Sequence, residues 1–295
     1  MVEKNCRNNF LGYEAEIVNE YCRKGKKFTV MYSGFLYFGM TVYIIIPTLP
    51  LLMPQKGNAT ERHLVHNVEY FVDQEKYFYP MLLHGYIAVA IFITIIVAVD
   101  SIFVVIIQHA CSLFTVLGYR LDNATKESAL EFDLYPIISE DHHYKTGVHC
   151  VRLHNDAIEF AELIGSSFST SYFWQTGLNM LLISFTSIQA AQNLHNFHEL
   201  VRQLFLQLCI FLHLYLECSQ GQQLMDHSSD IYEMLISVRW YNTSIRTRKL
   251  INIMTMRAKV VSVLTAGKMF TICMESFGMI LRTAMSYFTV LQSMQ

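Results

Sequence analysis

Five long stretches of mostly apolar residues, separated by polar segments, divide the chain. A membrane-spanning helix needs about 20 predominantly apolar residues, and each stretch is at least that long. The pattern therefore predicts an all-α integral membrane protein, a multi-span helical bundle with five transmembrane helices. The predicted spans are residues 28–53, 83–117, 160–191, 201–224 and 260–295.

Composition supports a membrane protein. Hydrophobic residues make up 53% of the chain and charged residues 16%, against roughly 25% charged in a typical soluble domain. No basic cluster with interleaved aromatic residues is present, which argues against nucleic acid as a partner and leaves membrane lipid as the expected surroundings. The seven cysteines have no CxxC spacing, so neither a disulfide framework nor a metal or other cofactor is predicted.

The basic residues predict an orientation. Six Lys and Arg precede the first span, four separate the second from the third, and six separate the fourth from the fifth, whereas the other side has four. Positive residues favour the cytoplasm, so the N-terminus is predicted inside and the C-terminus outside, the reverse of a G-protein-coupled receptor. Residues 225–259 then form a cytoplasmic segment, and Asn58 of the sequon Asn-Ala-Thr is a predicted glycosylation site on the outside.

Polar side chains recur within the predicted spans. In the last span their spacing places six of them on one face of a helix, which is typical of a pore lining, although Lys268 and Glu275 are equally well read as an intramembrane ion pair. Asp100 in the second span is expected to face the protein interior. The six are Lys268, Glu275, Arg282, Ser286, Thr289 and Ser293.

Three connecting segments carry further hypotheses. The aromatic outer loop, residues 55–79, is predicted to be either a lid or an interfacial aromatic belt. Residues 120–161 contain several histidines and carboxylates, for which a solvated helical connector is favoured over a metal site because no zinc spacing is present. Residues 246–259 are compatible with a short helix packed against the bundle or a neighbouring subunit.

Four motifs in the C-terminal part of the chain are informative, namely Ser228-Ser229-Asp230-Ile231-Tyr232, Trp240-Tyr241, Arg248-Lys249-Leu250 and the segment from Phe277 to Leu291. Through these motifs the chain resembles the insect odorant receptor family, and its ending is also similar to that of the gustatory receptors. A weaker resemblance covers residues 21–29 and 100–109, so it extends over essentially the whole chain. Family members have seven spans, and the five seen here correspond to the last five.

The resemblance implies an odorant-gated, nonselective cation channel in the plasma membrane. A tuning subunit would join an obligate co-receptor subunit in a heterotetramer, with the last helix of each subunit lining one pore. The implied pore-lining residues are Ser286, Thr289, Val290 and Ser293, with Val290 at the apolar gate, and Lys268 and Glu275 lie deeper.

The family resemblance also implies a cavity for a small volatile odorant, formed by the outer halves of the first, second and fourth spans. The expected lining residues are Met40, Tyr43, Ile44, Tyr86, Val89, Ile93, Phe205, Cys209 and Leu212.

Other functions remain open from the sequence. A gustatory-receptor-like channel would act without a co-receptor, and a truncated product would not conduct at all. An integral-membrane enzyme is disfavoured, because residues 120–161 show no converging set of nucleophile, acid and base.

Overall fold

The computed structural model describes residues 10, 12–52, 70, 72–73, 76–126, 141–194 and 197–293. The predicted all-α class is confirmed for these residues, apart from one short hairpin. The elements are α1 (Tyr13–Leu52), α2 (Phe78–Lys126), α3 (His142–Gln192), α4 (Phe197–Ser237), a 3-10 turn (Trp240–Asn242), α5 (Ile245–Ala258), β1 (Thr265–Ala266), β2 (Phe270–Thr271) and α6 (Met274–Ser293).

The first four helices are longer than one bilayer crossing requires. Helix α2 has 49 residues and is therefore about 70 Å long, more than twice the hydrocarbon thickness of about 30 Å. Three described helices are long and apolar enough to span a membrane, namely those over Tyr13–Ile45, Phe78–Ala124 and Glu199–Ser237. Two of these segments contain predicted spans, residues 83–117 and 201–224, and the third contains most of residues 28–53.

The described chain divides into two compact units, and all helices except α5 contribute to both. Unit 1 comprises residues 1–27, 104–176 and 215–278. Its core is formed by fully buried aliphatic and aromatic side chains of α2 and α4. They include Ile107, Leu113, Phe114, Leu117, Leu224, Ile231 and Leu235.

Unit 2 comprises residues 28–103, 177–214 and 279–295. A cluster on α2, Phe78 and Leu82, packs with Tyr43, Tyr86 and Val89. Other large apolar side chains of α2 are more than half exposed, including Ile87, Ile91 and Ile95. Such an apolar surface is favourable in lipid rather than in water.

The last helix is shorter than the sequence predicts. Residues 260–273 are not helical: β1 and β2 form an antiparallel hairpin in which Thr265 pairs with Thr271. Gly267 and Lys268 in its turn both have φ near +60°, a conformation that a helix cannot contain. The predicted continuous helix from Val260 is therefore wrong in this part, and Lys268 does not share a helical face with Glu275. Hydropathy alone did not distinguish an apolar hairpin from the beginning of a helix.

The predicted short helix at residues 246–259 is confirmed as α5. The side chain of Ser244 caps it by accepting a hydrogen bond from the Thr247 backbone N–H at 3.3 Å. Ile251 and Met254 are buried, whereas Ile253 is 59% exposed. The predicted Asn58 glycosylation site, the outer loop up to residue 69 and the acidic residues 127–140 lie outside the described part of the chain.

Candidate odorant cavity and pore helix

An apolar cavity of about 460 Å³ lies within unit 2. Three helices supply its lining. The lining residues are Leu36, Gly39, Met40 and Tyr43 of α1, Ala88, Val89, Phe92 and Ile93 of α2, and Phe205, Leu206 and Cys209 of α4.

Helical periodicity explains how these residues converge. On α1 they follow each other at intervals of three, one and three residues, and on α2 at one, three and one, so each set lies on one face of its helix. Ligand sites of this kind are mostly apolar and have volumes of about 300–1,000 Å³, a range that includes this cavity.

Gly39 allows an aromatic ring to lie against the backbone of α1. A Cβ atom at this position would lie 2.3 Å from Cε1 of Phe205, a distance that real atoms do not reach. Phe35 stacks on the same ring, with 5.8 Å between the ring centroids. The absence of a side chain at Gly39 therefore leaves room for the Phe205 ring and contributes to the shape of this wall.

Polar groups are few in the cavity lining. Tyr43 has the only hydroxyl among the lining residues, and its ring faces the guanidinium of Arg202 at 5.5 Å. Arg202 in turn pairs with Glu199 at 2.7 Å. One hydrogen-bonding hydroxyl in an apolar cavity favours a neutral, mostly apolar ligand over an ion.

Six of the nine sequence-predicted cavity residues are in this lining: Met40, Tyr43, Val89, Ile93, Phe205 and Cys209. The other three, Ile44, Tyr86 and Leu212, are not; Tyr86 packs instead in the cluster around Phe78.

Five lining residues escaped the sequence reasoning. Leu36 precedes Met40 by four positions and Gly39 precedes Tyr43 by four, so helical spacing alone had the signal to find them. No sequence pattern singled out Phe92, Ala88 or Leu206 as lining residues, because α2 and α4 are apolar on several faces.

Helix α6 presents the sequence-predicted pore residues on an exposed face. Ser286, Thr289, Val290 and Ser293 are all exposed, and Val290 retains 55% of its accessible surface. Each of the three hydroxyls donates to a backbone carbonyl of the same helix, at 2.7–3.1 Å. The face can thus be polar without leaving these donors unsatisfied.

The opposite face of α6 is buried within unit 2. Ile280 and Ala284 are 6% and 1% exposed, and Ser184 of α3 donates to the Ala284 carbonyl at 3.1 Å. Ser286 follows Ala284 by two residues, about 200° around the helix. The packed side and the polar side are therefore distinct.

The predicted intramembrane polar residues have separate locations. Glu275 and Arg282 are exposed on α6, seven residues apart and on the same side as Ser286. Lys268 lies in the hairpin turn. Asp100 is 3% exposed and hydrogen-bonded to Tyr32 and His213 within unit 2, as an interior position requires.

Sequence comparison assigns the family. The 7tm odorant receptor family matches residues 2–285, nearly the whole chain. The protein belongs to this family. The family resemblance seen in the C-terminal motifs is confirmed, and the chain is a helical membrane protein of this family.

Relatives and solved structures agree with this assignment. Odorant receptor 9a of Drosophila melanogaster is 25% identical over 246 residues, which cover 82% of this chain and 59% of that protein. Odorant receptor 13a of the same organism is 22% identical over 293 residues, 94% of this chain and 68% of the relative. The chain thus spans about three fifths of the first relative.

The fold matches that of a solved insect olfactory receptor, OR5 from Machilis hrabei. Two structures of that receptor, one of them in complex with eugenol, give TM-scores of 0.74 and 0.76 at 16% sequence identity. The match covers 96% of this chain and 70% of the receptor. At this identity the likeness concerns the fold.

Proposed function

We propose that this odorant receptor is an odorant-binding subunit and that the cavity between α1, α2 and α4 holds the odorant. The observation that carries the proposal is the apolar cavity of about 460 Å³, formed by residues on one face of each helix. The eugenol complex of the Machilis hrabei receptor supports a small organic ligand, since the two chains share a fold.

The chemistry of the lining narrows the ligand class. A neutral volatile molecule with one oxygen acceptor would bury its hydrocarbon part against Met40, Val89 and Phe205 and accept a hydrogen bond from Tyr43. A carboxylate or an ammonium group would lose its hydration without gaining a charged partner in the lining, which costs several kcal/mol or more.

We further propose that odorant binding opens a nonselective cation channel formed with a co-receptor subunit in a heterotetramer. In this proposal α6 lines the pore with Ser286, Thr289, Val290 and Ser293, and its N-terminal end faces the cytoplasm. The exposed polar face of α6 supports the proposal, because a polar stripe on a membrane helix is favourable where it contacts water or another subunit.

A matched pair of glycine variants tests the cavity. In Gly39→Ala the new methyl group would push the Phe205 ring toward the cavity, whereas in Gly34→Ala, on the same helix, it would meet no atom within 4 Å. We expect Gly39→Ala to raise the half-maximal concentration of the largest active odorants by about tenfold or more, and to affect smaller ones less. The readout is odorant-evoked current in cells that also express a co-receptor.

An equal response of both variants to large odorants would contradict the cavity assignment.

Expression with and without the co-receptor separates the channel hypotheses. Current that requires the co-receptor supports the heterotetramer, and current from this chain alone supports the gustatory-receptor-like alternative. Odorant binding without current in either case indicates a non-conducting product.

A further inference from the structure

A tight cluster of three polar side chains lies among the apolar helices of unit 2. Asp100 of α2, His213 of α4 and Tyr32 of α1 are 3%, 9% and 7% exposed. The Tyr32 hydroxyl donates to Asp100 Oδ2 at 2.5 Å, and His213 Nδ1 lies 2.8 Å from the same oxygen and 3.1 Å from the Tyr32 hydroxyl. Three potential metal-ligand atoms thus form a triangle.

The ligand types are those that borderline transition metals prefer. Imidazole nitrogen suits Zn²⁺, Cu²⁺ and Co²⁺, and a carboxylate provides the negative charge that a buried cation needs. We propose that Asp100, His213 and Tyr32 form a binding site for a divalent transition-metal ion such as Zn²⁺ or Cu²⁺.

Little movement is needed to admit an ion. Ligand atoms at about 2.0–2.1 Å from a tetrahedral metal are separated by about 3.4 Å, so the triangle must open by less than about 1 Å. Rotation of the three side chains supplies such a change without moving the helices. A water molecule would complete the coordination.

The charges of the site can also be balanced. Asp100 offsets one of the two positive charges of the ion, and ionisation of the Tyr32 hydroxyl, with its proton released to solvent, offsets the other. His213 binds through an unprotonated Nδ1, with its proton on Nε2. Anionic ligands offset the charge of the ion, which favours its binding in apolar surroundings.

The site lies close to the odorant cavity but does not overlap with it. Tyr32 precedes the lining residue Leu36 by one helical turn on α1, and His213 follows the lining residue Cys209 by one turn on α4. A bound ion would link α1, α2 and α4, the three helices that form the cavity. Because the metal site and the cavity have different residues, metal binding can be measured without an odorant. Its outcome does not depend on the proposed odorant function.

Titration of the purified full chain with Co²⁺ and Cu²⁺ tests the proposal. We expect one saturable site with the visible absorption of tetrahedral Co²⁺ and a tyrosinate-to-Cu²⁺ charge-transfer band. Asp100→Asn and His213→Gln should each weaken binding by more than about tenfold, and Tyr32→Phe should remove the charge-transfer band. Zn²⁺ should displace Co²⁺ in competition.

Two control variants have matched chemistry. His84 and Tyr70 form another histidine–tyrosine pair, at 3.1 Å, and Tyr37 lies on the same helix as Tyr32. His84→Gln and Tyr37→Phe should leave the spectra unchanged. If Asp100→Asn does not fold, His213→Cys replaces the nitrogen ligand by a thiolate and should add a sulfur-to-Co²⁺ band. Absence of saturable binding by the wild-type chain, or a tetrahedral band that survives in Asp100→Asn and His213→Gln, would overturn the proposal.

Discussion

Single residues set several of the tightest contacts in this chain. Gly221 of α4 allows the backbone of Ile272 to approach so closely that a Cβ at position 221 would lie 2.1 Å from the Ile272 carbonyl oxygen. Gly267 has the same role beside the Phe173 ring, where a Cβ would lie 2.7 Å from a ring carbon, and its φ of +60° also favours glycine. Both contacts hold the region of the hairpin against longer helices of unit 1.

Substitution of Gly221 by alanine should destabilise the protein. Its neighbour is a backbone carbonyl, which cannot rotate away, so overpacking should cost about 1–3 kcal/mol and lower the thermal unfolding midpoint. Gly177→Ala in α3 is the control, because its new methyl group would meet no atom within 4 Å. Thermal unfolding of both purified variants in nanodiscs checks this, and equal midpoints would contradict it.

His154 predicts a pH dependence of stability. Burial, helped by the positive charge of Arg257, lowers the pKa of His154 to about 4 from its ordinary value near 6.5. The folded state therefore keeps this histidine neutral where the unfolded chain would bind a proton. Its contribution to stability is complete above about pH 6.5 and declines as the pH falls toward 4.

Thermal unfolding of His154→Gln between pH 7.5 and about 4.5 measures this contribution. The variant should lose less stability than the wild type as the pH falls, whereas His149→Gln, at an exposed position, should follow the wild type. Parallel curves for His154→Gln and the wild type would refute the assignment.

At the scale of elements, much of the surface of α6 is not packed against the rest of the described chain. Its buried positions within unit 2 include Ile280 and Ala284, whereas Met279, Met285, Tyr287 and Val290 are each about half exposed. An isolated helix of 20 residues gains little from propensity, so its stable position depends on packing partners. The exposed faces are available for lipid, for water in a pore or for other subunits.

Val290→Asn should increase the basal current if α6 lines the pore as proposed. A ring of valine side chains can close a pore by excluding water, and an amide would allow the constriction to hydrate. Met285→Asn is the control, since Met285 is equally exposed but lies about 140° away around the helix. Whole-cell current without odorant is the measurement, and equal leak in both variants would contradict the pore assignment.

At the scale of the whole molecule, the long helices are the main feature. Helices α1 to α4 each contribute residues to both compact units, and each has at least 40 residues. A helix of 40 residues is about 60 Å long, which is about twice the hydrocarbon thickness of a bilayer. The distribution of Lys and Arg predicts that the C-terminal ends of α2, near Arg120, and of α4, near Arg239, are cytoplasmic.

Glycosylation tests this orientation. In cells, Asn58→Gln should remove a glycosidase-sensitive shift in electrophoretic mobility, because the sequon at Asn58 is predicted to be outside. Asn123→Gln and Asn242→Gln should not change the mobility, since both sequons are predicted to be inside. A glycan on Asn123 or Asn242 would contradict the predicted orientation and indicate the opposite one.

The cavity shows how much of a binding site can be predicted from the sequence. Met40 and Tyr43 were expected in a cavity because of the family resemblance, and both are in the lining of this one. Helical spacing could place Gly39 on this face, but its contact with Phe205 was not visible in the sequence, since that ring belongs to another helix. The partners of Asp100 were hidden for the same reason: Tyr32 and His213 are 68 and 113 residues away in the chain.

The sequence by itself determined the class of this protein: apolar length predicts membrane helices, and the C-terminal motifs indicate an odorant receptor. These features are local, so hydropathy, periodicity and motif suffice. Tertiary structure decided where the last helix begins, which residues line the cavity and which polar groups meet. The φ angles of Gly267 and Lys268, the Gly39–Phe205 contact and the Asp100 cluster depend on packing between distant segments, and no local pattern encodes that packing.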